Sequence, residues 1–513
     1  MDKVGNLKVL HLIPVLTRGG AGRSLLALRR HALAGNRLLQ ERVISLQPAD
    51  PEAVRQAQQD GMDVLEAPAY DVVAREIEAC DLVLLHYWNT PELFDLLRAD
   101  LPAMRLLIWL KVFGAHPPHV LTPFLLETAD LVVATSPSTC RLPVCAGYER
   151  KLAVVPGLAD FARLDGFLAR PHKGFNVGYI GTVDYVKMHP RYVEMSAEVR
   201  VPGIRFSVCG TGHAYTNLEK RIRQQGAEDR FDLRGHVEDI RSVLEVLDVF
   251  GYPLCEDTYA TSEKSLQEAL YAGVPPVVFP HGGVQDLVED GHTGLVVRSE
   301  TAYIQALEYL YHHPEERARL GRNGAAYARA TFDAEALAGK LFSLYATLMQ
   351  QPRRKRSRAA FPFHPPVTVE RRGAASFVEA LGGTASWFSQ SLYGQATDTL
   401  LAADEEIARS SPVLCNAGGG GLLHYRRSYP EDAYLRFWSG LVLKHQGRPA
   451  LALSELSKAA ALGFEHWRVS WYVAQTATKA GARTLAKTAL QRVLDAAPDF
   501  EPALRMAASH KDS

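Results

Sequence analysis

Residues 262–278 read S-E-K-S-L-Q-E-A-L-Y-A-G-V-P-P-V-V, and the turn F-P-H-G-G-V follows at 279–284. The pattern predicts an amphipathic helix that ends at Gly273, a short strand after Pro276, and a glycine turn into another helix. In such α/β units, ligands bind at the carboxyl ends of the strands. There the Glu268 carboxylate suits the paired hydroxyls of a ribose, and the helix N-terminus suits a diphosphate. The stretch predicts nucleotide-sugar binding, and the alternative is an ordinary crossover with Glu268 in solvent.

Length and composition indicate a multidomain globular protein. The chain has 513 residues, which suggests three or four domains at roughly 150 residues each. Lys+Arg and Asp+Glu both number 57, so the charge gives no indication of nucleic-acid binding, and none is predicted. Six scattered cysteines without metal-ligand spacing indicate a reducing compartment, so we expect a cytoplasmic location.

The first apolar run, residues 9–16, is too short to span a membrane and contains His11 and Pro14. No small-residue cleavage site follows it, so the run predicts a first strand rather than a signal peptide. We expect no transmembrane segment.

Strand and helix patterns alternate through the first 350 residues. The predicted strands lie at 7–14, 42–46, 82–86, 105–110, 131–135 and 152–155, and then at 175–181, 205–209, 230–233, 249–252, 277–279 and 294–297. Each series is a βαβ repeat with a glycine turn after its first strand, which predicts a mostly parallel sheet. The fold class is therefore α/β: two Rossmann-like domains, 1–165 and 166–350, that face each other across a cleft.

The α/β pattern stops at about residue 350. Residues 351–374 are rich in proline and carry the basic cluster Arg353–Arg356, which predicts a linker. A basic run of this kind permits binding to a phosphate-rich partner or peripheral association with an anionic membrane face. A solvated linker is the favoured interpretation.

Residues 375–513 have a helical pattern with an internal period. Three small or apolar pairs are 34 residues apart: Gly447 and Gly481, Ala452 and Ala486, and Leu456 and Leu490. This register resembles the tetratricopeptide repeat, with copies at 432–465 and 466–499 and part of a third near 395–409. Such repeats bind peptides or helices, so we expect this all-α domain to bind a protein partner or to pack on its neighbour.

Residues 7–350 resemble a retaining glycosyltransferase of the GT-B fold, in the large family 4 of sugar-nucleotide-dependent enzymes. The matching segments follow in order along the chain: Gly19-Gly20-Ala-Gly-Arg23, Asp81-Leu-Val-Leu-Leu-His86-Tyr-Trp88, Ala129-Asp130-Leu-Val-Val-Ala-Thr-Ser136, Leu152-Ala-Val-Val-Pro156, Gly178-Tyr-Ile-Gly181 with Lys187, Cys209-Gly-Thr-Gly212, Leu233-Arg-Gly235, and Glu268 through Gly294-Leu-Val-Val. The glycine loop alone is a weak signal, whereas the ordered set over some 340 residues is specific.

The resemblance implies a set of site residues. Catalytic roles fall to His86, Lys187 and Glu263; donor binding falls to Gly19, Gly20, Gly181, Thr182, Lys187, Gly210, Gly212, Lys264, Ser265, Leu266 and Glu268; and Trp88 and His116 are expected to contact the acceptor or the sugar. His11 lies in mid-strand and is expected to be structural, and Trp109 is expected to pack in the core.

Two positions depart from the family pattern. Thr182 stands where the family has an arginine for the diphosphate, so Arg191 or Lys264 is expected to supply that charge. Ala260 stands where the family often has the first of two glutamates, and Glu256 or Glu263 is expected to replace it.

The resemblance implies metal-independent transfer from a nucleotide sugar to a glycan, lipid-linked or protein acceptor. No Asp-x-Asp motif follows a strand, so we expect neither a metal nor any other cofactor. Two alternatives stay open: a catalytically degenerate GT-B scaffold that works through its helical repeats, and a sugar-nucleotide epimerase with the same two-domain architecture.

Overall fold

The computed structural model describes residues 7–35, 39–159, 161–356 and 372–509. Contacts within the chain group it into two compact units. The first unit contains Met1–Trp88, Asp100–His116 and Pro123–Ser357, and the second contains Asn89–Ala99, Pro117–Thr122 and Arg358–Ser513. Two short segments of the first half of the chain therefore belong to the mainly C-terminal unit.

The first sheet is parallel throughout its described strands. These are β1 (Leu7–Ile13), β2 (Leu39–Ser45), β3 (Asp63–Glu66), β4 (Leu82–Tyr87), β5 (Leu106–Leu110), β6 (Leu131–Ala134) and β7 (Leu152–Val154), in the spatial order β3-β2-β1-β4-β5-β6-β7. The helices along this stretch are α1 (Gly20–Ala34), α2 (Pro51–Gln59), α3 (Tyr70–Ala79), α4 (Pro91–Arg98), α5 (Pro123–Thr128) and α6 (Pro137–Cys140). All residues of β4 are buried, as expected for a sheet covered on both faces.

The second sheet is also parallel. Its described strands are β8 (Phe175–Ile180), β9 (Ile204–Cys209), β10 (Phe231–Gly235), β11 (Val249–Tyr252), β12 (Pro276–Val278) and β13 (Leu295–Val296), in the order β10-β9-β8-β11-β12-β13. Its helices are α7 (Tyr192–Glu198), α8 (Tyr215–Gln224), α9 (Ile240–Leu244), α10 (Lys264–Tyr271), α11 (Glu300–His312), α12 (Pro314–Thr331) and α13 (Ala334–Met349). In both sheets the strand order reverses direction beside the first strand, which is where such folds bind ligands.

Helix α13 follows the second domain but packs on the first. Leu337, Leu341 and Tyr345 are buried in the same hydrophobic cluster as Leu84 and Trp109 of the first sheet. Their spacing places them on one face of the helix. The chain therefore returns to the first domain after completing the second.

The predicted fold class is confirmed, and so is the series of parallel strands. The strand β3 was not predicted, because its sequence D-V-L-E lacks an apolar run and both of its end residues are exposed. An edge strand with few buried residues gives a weak sequence signal.

The basic segment contacts the first unit. Arg354 forms an antiparallel bridge with Met104, and Arg356 Nη2 donates to Asp130 Oδ2 over 2.6 Å. Arg353 donates to the carbonyl of Glu78 over 2.9 Å. Carbonyl and carboxylate groups of the first unit thus bind these three arginines, although Arg353 and Arg354 remain exposed, and the linker assignment stays a prediction. Residues 357–371 of the expected linker lie outside the described residues.

The second unit is helical in its described part. Besides α4 it contains α14 (Arg372–Ala380), α15 (Ser386–Tyr393), α16 (Thr397–Ala408), α17 (Leu422–Ser428), α18 (Ala433–His445), α19 (Pro449–Ala461), α20 (Arg468–Lys479), α21 (Arg483–Ala496) and α22 (Glu501–Ser509). Gly440 of α18 lies against α19, where a Cβ at Gly440 would be 2.6 Å from Leu456 Cγ. The paired helices are present as expected, and the tetratricopeptide assignment stays a prediction.

Candidate active site

The loop between β1 and α1 carries the predicted glycine motif. Gly22 has no room for a side chain, because a Cβ there would lie 1.9 Å from the carbonyl oxygen of Thr17. Gly19 and Gly20 are exposed, and the Gly20 carbonyl accepts a hydrogen bond from Lys264 Nζ. The glycine loop of the first domain thus meets the start of α10 in the second.

Lys264 is buried where the two domains meet. Its Nζ also donates to Ser24 Oγ of α1 over 2.5 Å. Burial lowers the pKa of Lys264 well below its ordinary value, and the nearby Arg23 guanidinium lowers it further. The charged form of a lysine buried in this way gains stability from any anion that binds beside it.

Glu268 is 3% exposed, so its carboxylate does not lie in solvent and the plain-crossover interpretation is wrong on this point. Its Oε1 forms an ion pair with Arg163 Nη2, and Arg23 Nη1 lies 3.7 Å away. Arg163 comes from the short 3₁₀ turn Ala162–Leu164 between the two domains. This arginine was not predicted, because no recognisable motif surrounds it.

Lys187 and Glu263 form a second buried pair. Lys187 Nζ lies 2.7 Å from Glu263 Oε2, which also accepts a hydrogen bond from Tyr252 OH over 2.7 Å. Burial alone would lower the pKa of Lys187, but Glu263, Tyr259 and Tyr179 together outweigh burial, and the pKa is raised. Burial alone would raise the pKa of Glu263, but Lys187, Tyr252 and Lys264 together outweigh it, and the pKa is lowered. Both groups are therefore held in their charged forms.

The glycines of the second domain allow its loops to pack tightly. Gly210 has a φ of +144°, and a Cβ there would lie 1.8 Å from the Gly181 carbonyl. A Cβ on Gly212 would lie 2.2 Å from the Val183 carbonyl. The loops after β8 and β9 consequently lie against each other, and Thr182 is exposed between them.

Two predicted donor residues on α10 differ in orientation. Leu266 is fully buried in the hydrophobic core of the second domain, so its side chain does not face the cleft. Only the main chain of Leu266 is therefore expected to contact the donor. Ser265 is half-buried and lies near Tyr252, whose hydroxyl donates to Glu263 Oε2.

Each of the two missing charged groups had two candidate replacements, and the candidates differ in their surroundings. Arg191 Nε pairs with Glu300 Oε2 over 2.8 Å at an exposed position, so the expectation that Arg191 supplies the diphosphate charge is not supported. Lys264 lies at the domain junction instead. Glu263 is paired with Lys187, whereas Glu256 is exposed.

His86 is the penultimate residue of β4 and is completely buried. Burial lowers its pKa well below the ordinary value, and Lys111, His11 and Lys264 lower it further, so the ring is neutral. Its ring lies 5.8 Å from that of Trp109, which is buried in the core as expected.

The expected sugar-contacting residues lie in the same unit. Trp88 packs against Tyr259, with ring centroids 4.9 Å apart. Burial lowers the pKa of His281, and the nearby His116 contributes to this lowering. Since Tyr259 and His281 belong to the second domain, these contacts bring Trp88 and His116 to it.

Lys111 was not predicted. Its Nζ lies 3.0 Å from the ring centroid of Trp109, is buried, and has no hydrogen-bond partner within the described part of the chain. Burial lowers the pKa of Lys111 well below its ordinary value, and Lys264 adds to the effect. Its position directly after the apolar run 106–110 was the available signal, because polar residues at strand ends face the ligand edge.

The described residues contain no group of three or more His, Cys, Asp or Glu side chains arranged to hold a metal ion. Among the helices that the structure describes, none has the length and apolarity needed to cross a membrane.

Comparison with known proteins finds a family that is similar to part of this chain. Residues 160–327 match the family described as Glycosyl transferases group 1. The matched segment includes the second sheet, α10, and both buried pairs formed by Lys187 and Glu268.

Curated relatives match over limited stretches. The α-D-kanosaminyltransferase of Streptomyces kanamyceticus is 30% identical over 173 residues, which are 33% of this chain and 44% of that protein. A D-inositol 3-phosphate glycosyltransferase of Corynebacterium urealyticum is 24% identical over 322 residues, covering 53% of this chain and 72% of that protein. The chain spans less than half the length of the first relatives it matches.

Solved structures share the fold. Anabaena HepE in complex with UDP-glucose has a TM-score of 0.55 and 18% identity, covering 66% of this chain and all of that one. A glycosyltransferase of Rickettsia africae has a TM-score of 0.56 and 13% identity, covering 68% of this chain and all of that one. At these identities the likeness establishes the fold alone, which is GT-B.

Proposed function

We propose that this protein is a retaining glycosyltransferase that moves a sugar from a nucleoside-diphosphate sugar to a glycan, lipid-linked or protein acceptor. The observation that carries the proposal is the concentration of buried charged groups where the two domains meet. Lys187, Glu263, Lys264 and Glu268 all lie on α10 or next to it, and each is largely withdrawn from water. Buried charges gathered in one cleft are typical of functional sites, and the match to the glycosyl transferases group 1 family supports the same assignment.

The reaction needs positive charge at the departing diphosphate. As the bond between the sugar C1 and the diphosphate oxygen breaks, negative charge grows on the phosphate oxygens. Lys187, the N-terminal amides of α10 and the Ser265 hydroxyl are the groups that we assign to that charge. Glu268 binds the ribose hydroxyls. An acceptor hydroxyl forms the new bond to C1 as the bond from C1 to the diphosphate oxygen breaks, and the hydroxyl proton passes to that departing oxygen.

We further propose that no metal takes part. The charge on the diphosphate is met by an ammonium group and main-chain amides, which act as fixed dipoles in a water-poor cleft. These groups take the place of a divalent cation in the proposed site.

The helical unit is proposed to dock the acceptor or a partner protein. Its paired helices form an extended surface. The predicted cytoplasmic location, with peripheral association at the inner face of a membrane, belongs to the same proposal and fits a lipid-linked acceptor.

One observation favours a second candidate, a degenerate scaffold. The Glu268 carboxylate is already paired with Arg163 and approached by Arg23. If that pair never opens, no ribose reaches the carboxylate and the site does not turn over.

A donor screen tests the proposal. UDP, GDP, ADP and TDP sugars are added to the full chain, and the thermal midpoint and the release of nucleotide are measured. We expect stabilisation by one nucleotide class, slow hydrolysis of one sugar in that class, and loss of hydrolysis in Lys187→Met. Full folding with neither stabilisation nor hydrolysis by any donor supports the scaffold instead.

A further inference from the structure

A line of polar residues crosses the first sheet on a single face. His11 of β1 is in register with Val43 of β2 and Leu84 of β4. Glu41 precedes Val43 by two residues, and His86 follows Leu84 by two. Because side chains alternate between faces along a strand, Glu41, His11 and His86 lie diagonally next to one another on the same face.

The line continues to the carboxyl edge of the sheet. His86 is in register with Trp109 of β5, and Lys111 follows Trp109 by two residues. Lys111 is therefore on this face as well, where its Nζ lies over the Trp109 ring. Four adjacent strands thus contribute to one row.

The polar members of the row are joined by hydrogen bonds. His86 Nε2 lies 3.1 Å from His11 Nδ1, and His11 Nε2 lies 3.1 Å from Glu41 Oε1. Arg29 Nη1 of α1 donates to Glu41 Oε2 over 3.1 Å. The exposure of these four residues ranges from 0% to 8%, so water does not compete with the chain.

The direction of the chain follows from which groups can donate. A guanidinium has no acceptor, so Glu41 accepts from Arg29, and its second oxygen accepts the proton of His11 Nε2. The Arg29 charge already balances that carboxylate, so a second proton on His11 would be an uncompensated buried charge. His11 Nδ1 is therefore unprotonated and accepts a hydrogen bond from His86 Nε2–H. Because the His86 ring is neutral, its Nδ1 is then unprotonated as well.

His86 Nδ1 ends the chain. It is buried and has no hydrogen-bond partner within the residues that the structure describes. Lys111 Nζ is also buried without such a partner, and it is close enough to act on the His86 ring. One acceptor and one donor therefore lie on the same face near the carboxyl edge of the sheet, where a polar ligand would satisfy both.

We propose that Glu41 and His11 are positioning residues that hold His86 as the tautomer whose Nδ1 accepts a hydrogen bond from a hydroxyl of the transferred sugar, with Lys111 Nζ donating to the same hydroxyl. The proposal rests on the proposed function. A hydroxyl fits both groups because it can donate one hydrogen bond to His86 Nδ1 and accept another from Lys111 Nζ. A carboxylate or phosphate does not fit, because it has no proton to give to Nδ1.

Glu41→Gln reverses the donor and acceptor roles in the hydrogen bonds that link residue 41, His11 and His86. Arg29 still requires an acceptor, so the Gln oxygen faces Arg29 and its NH₂ faces His11. His11 Nε2 must then accept, its Nδ1–H donates to His86 Nε2, and His86 Nδ1 acquires the proton. The site acceptor becomes a donor although no residue in contact with the ligand has changed.

The first test needs no ligand. Two-bond ¹H–¹⁵N correlation spectra of histidine-labelled full-length protein report the protonation of each ring nitrogen, and His86→Gln and His11→Gln identify the signals. We expect His86 Nδ1 to be unprotonated in the native chain at neutral pH and protonated in Glu41→Gln. A protonated Nδ1 in the native chain, or an unchanged ring in a folded Glu41→Gln, overturns the proposal.

The second test links the tautomer to the sugar. UDP and UDP-glucose binding are measured by calorimetry for the native chain, for Glu41→Gln, and for Glu52→Gln, the same change at a partly exposed residue of α2. We expect Glu41→Gln to keep the affinity for UDP within about twofold and to weaken the affinity for UDP-glucose about tenfold. A loss of about tenfold is the usual effect of losing a buried hydrogen bond, here because the acceptor nitrogen has become a donor. Equal UDP-glucose affinity in Glu41→Gln overturns the positioning role alone. If the native chain binds UDP but gains nothing from the glucose, the sugar contact is wrong while nucleotide binding stands, and if it binds neither, the proposed function fails for UDP sugars.

Discussion

Arg163 and Glu268 form an ion pair between the turn that connects the two domains and the buried face of α10. The same Glu268 carboxylate is the group that we assign to the donor ribose. A nucleotide must therefore displace Arg163 or share the carboxylate with it. The pair places the connection between the domains in direct contact with the proposed donor site.

Glu268→Gln should weaken nucleotide binding. The charged acceptor of two ribose hydroxyls is replaced by an amide, and hydrogen bonds to charged groups contribute about 1.5–3 kcal/mol, so we expect a loss of roughly tenfold or more in affinity. Calorimetric titration with the nucleotide found in the donor screen measures it. Glu245→Gln is the matched control, because Glu245 is 4% exposed and is paired with Arg170 and Arg241 within the second domain. Equal affinities in the two variants would remove Glu268 from the donor site.

Lys187→Met should destabilise the second domain by about 3–5 kcal/mol, because it leaves the Glu263 carboxylate buried and without its partner. Adding Glu263→Gln should recover part of that loss. We expect a coupling energy of about 0.5–3 kcal/mol between the two changes, measured by denaturant titration followed through the second domain. Strictly additive effects would show that the pair is not coupled.

Acid should remove the contribution of the Glu263 carboxylate. Its pKa is lowered in the folded protein by Lys187 and Tyr252, so its stabilisation is complete above the ordinary carboxyl pKa and is lost as pH falls towards the lowered folded value. Thermal midpoints of the native chain and Glu263→Gln, compared between pH 3 and pH 7, should therefore converge at the acid end. A constant difference across that range would contradict the assignment.

Turnover should survive chelation. We expect hydrolysis and transfer rates within about twofold of the untreated rate after EDTA, because Lys187 and helix amides meet the diphosphate charge. Nucleotide release before and after dialysis against EDTA, followed by addition of Mg²⁺ or Mn²⁺, measures the effect. Complete loss that either metal reverses would show that the site holds a cation.

Removing the helical unit should unfold more than that unit. Helix α4 belongs to it, with Arg98 Nη1 lying 2.7 Å from Glu379 Oε2 and Asp95 Oδ1 accepting from Ser376 over 3.2 Å. A chain that ends after Arg356 keeps the contacts of the basic segment but deprives Arg98 and Asp95 of these partners. We expect it to aggregate or to melt at lower temperature than the full chain, by scattering and calorimetry. A soluble product with an unchanged melting transition for the α/β domains would show that α4 does not depend on the helical unit.

Local sequence predicted the fully buried strand β4 and missed the edge strand β3, although it also predicted β7, β10 and β13, which are only partly buried. The apolar run of β4 is readable because all of it lies between two helical layers. Asp63–Glu66 pairs with β2 at the sheet edge, where exposure removes the apolar signal. Glu268 was selected as a candidate donor-binding residue because its helix, glycine turn and strand form one short, recognisable unit.

The sequence by itself determined the two parallel sheets, their glycine loops and the position of Glu268, since each depends on residues close together in the chain. Tertiary structure decided which distant charges meet. Arg163 reaches Glu268 across 105 positions, and His86 reaches His11 across 75, because the connection between the domains and the strand order bring them together. Local periodicity predicts neither of these two contacts. A βαβ repeat determines the direction of each strand, whereas packing of the whole sheet determines which strands become neighbours.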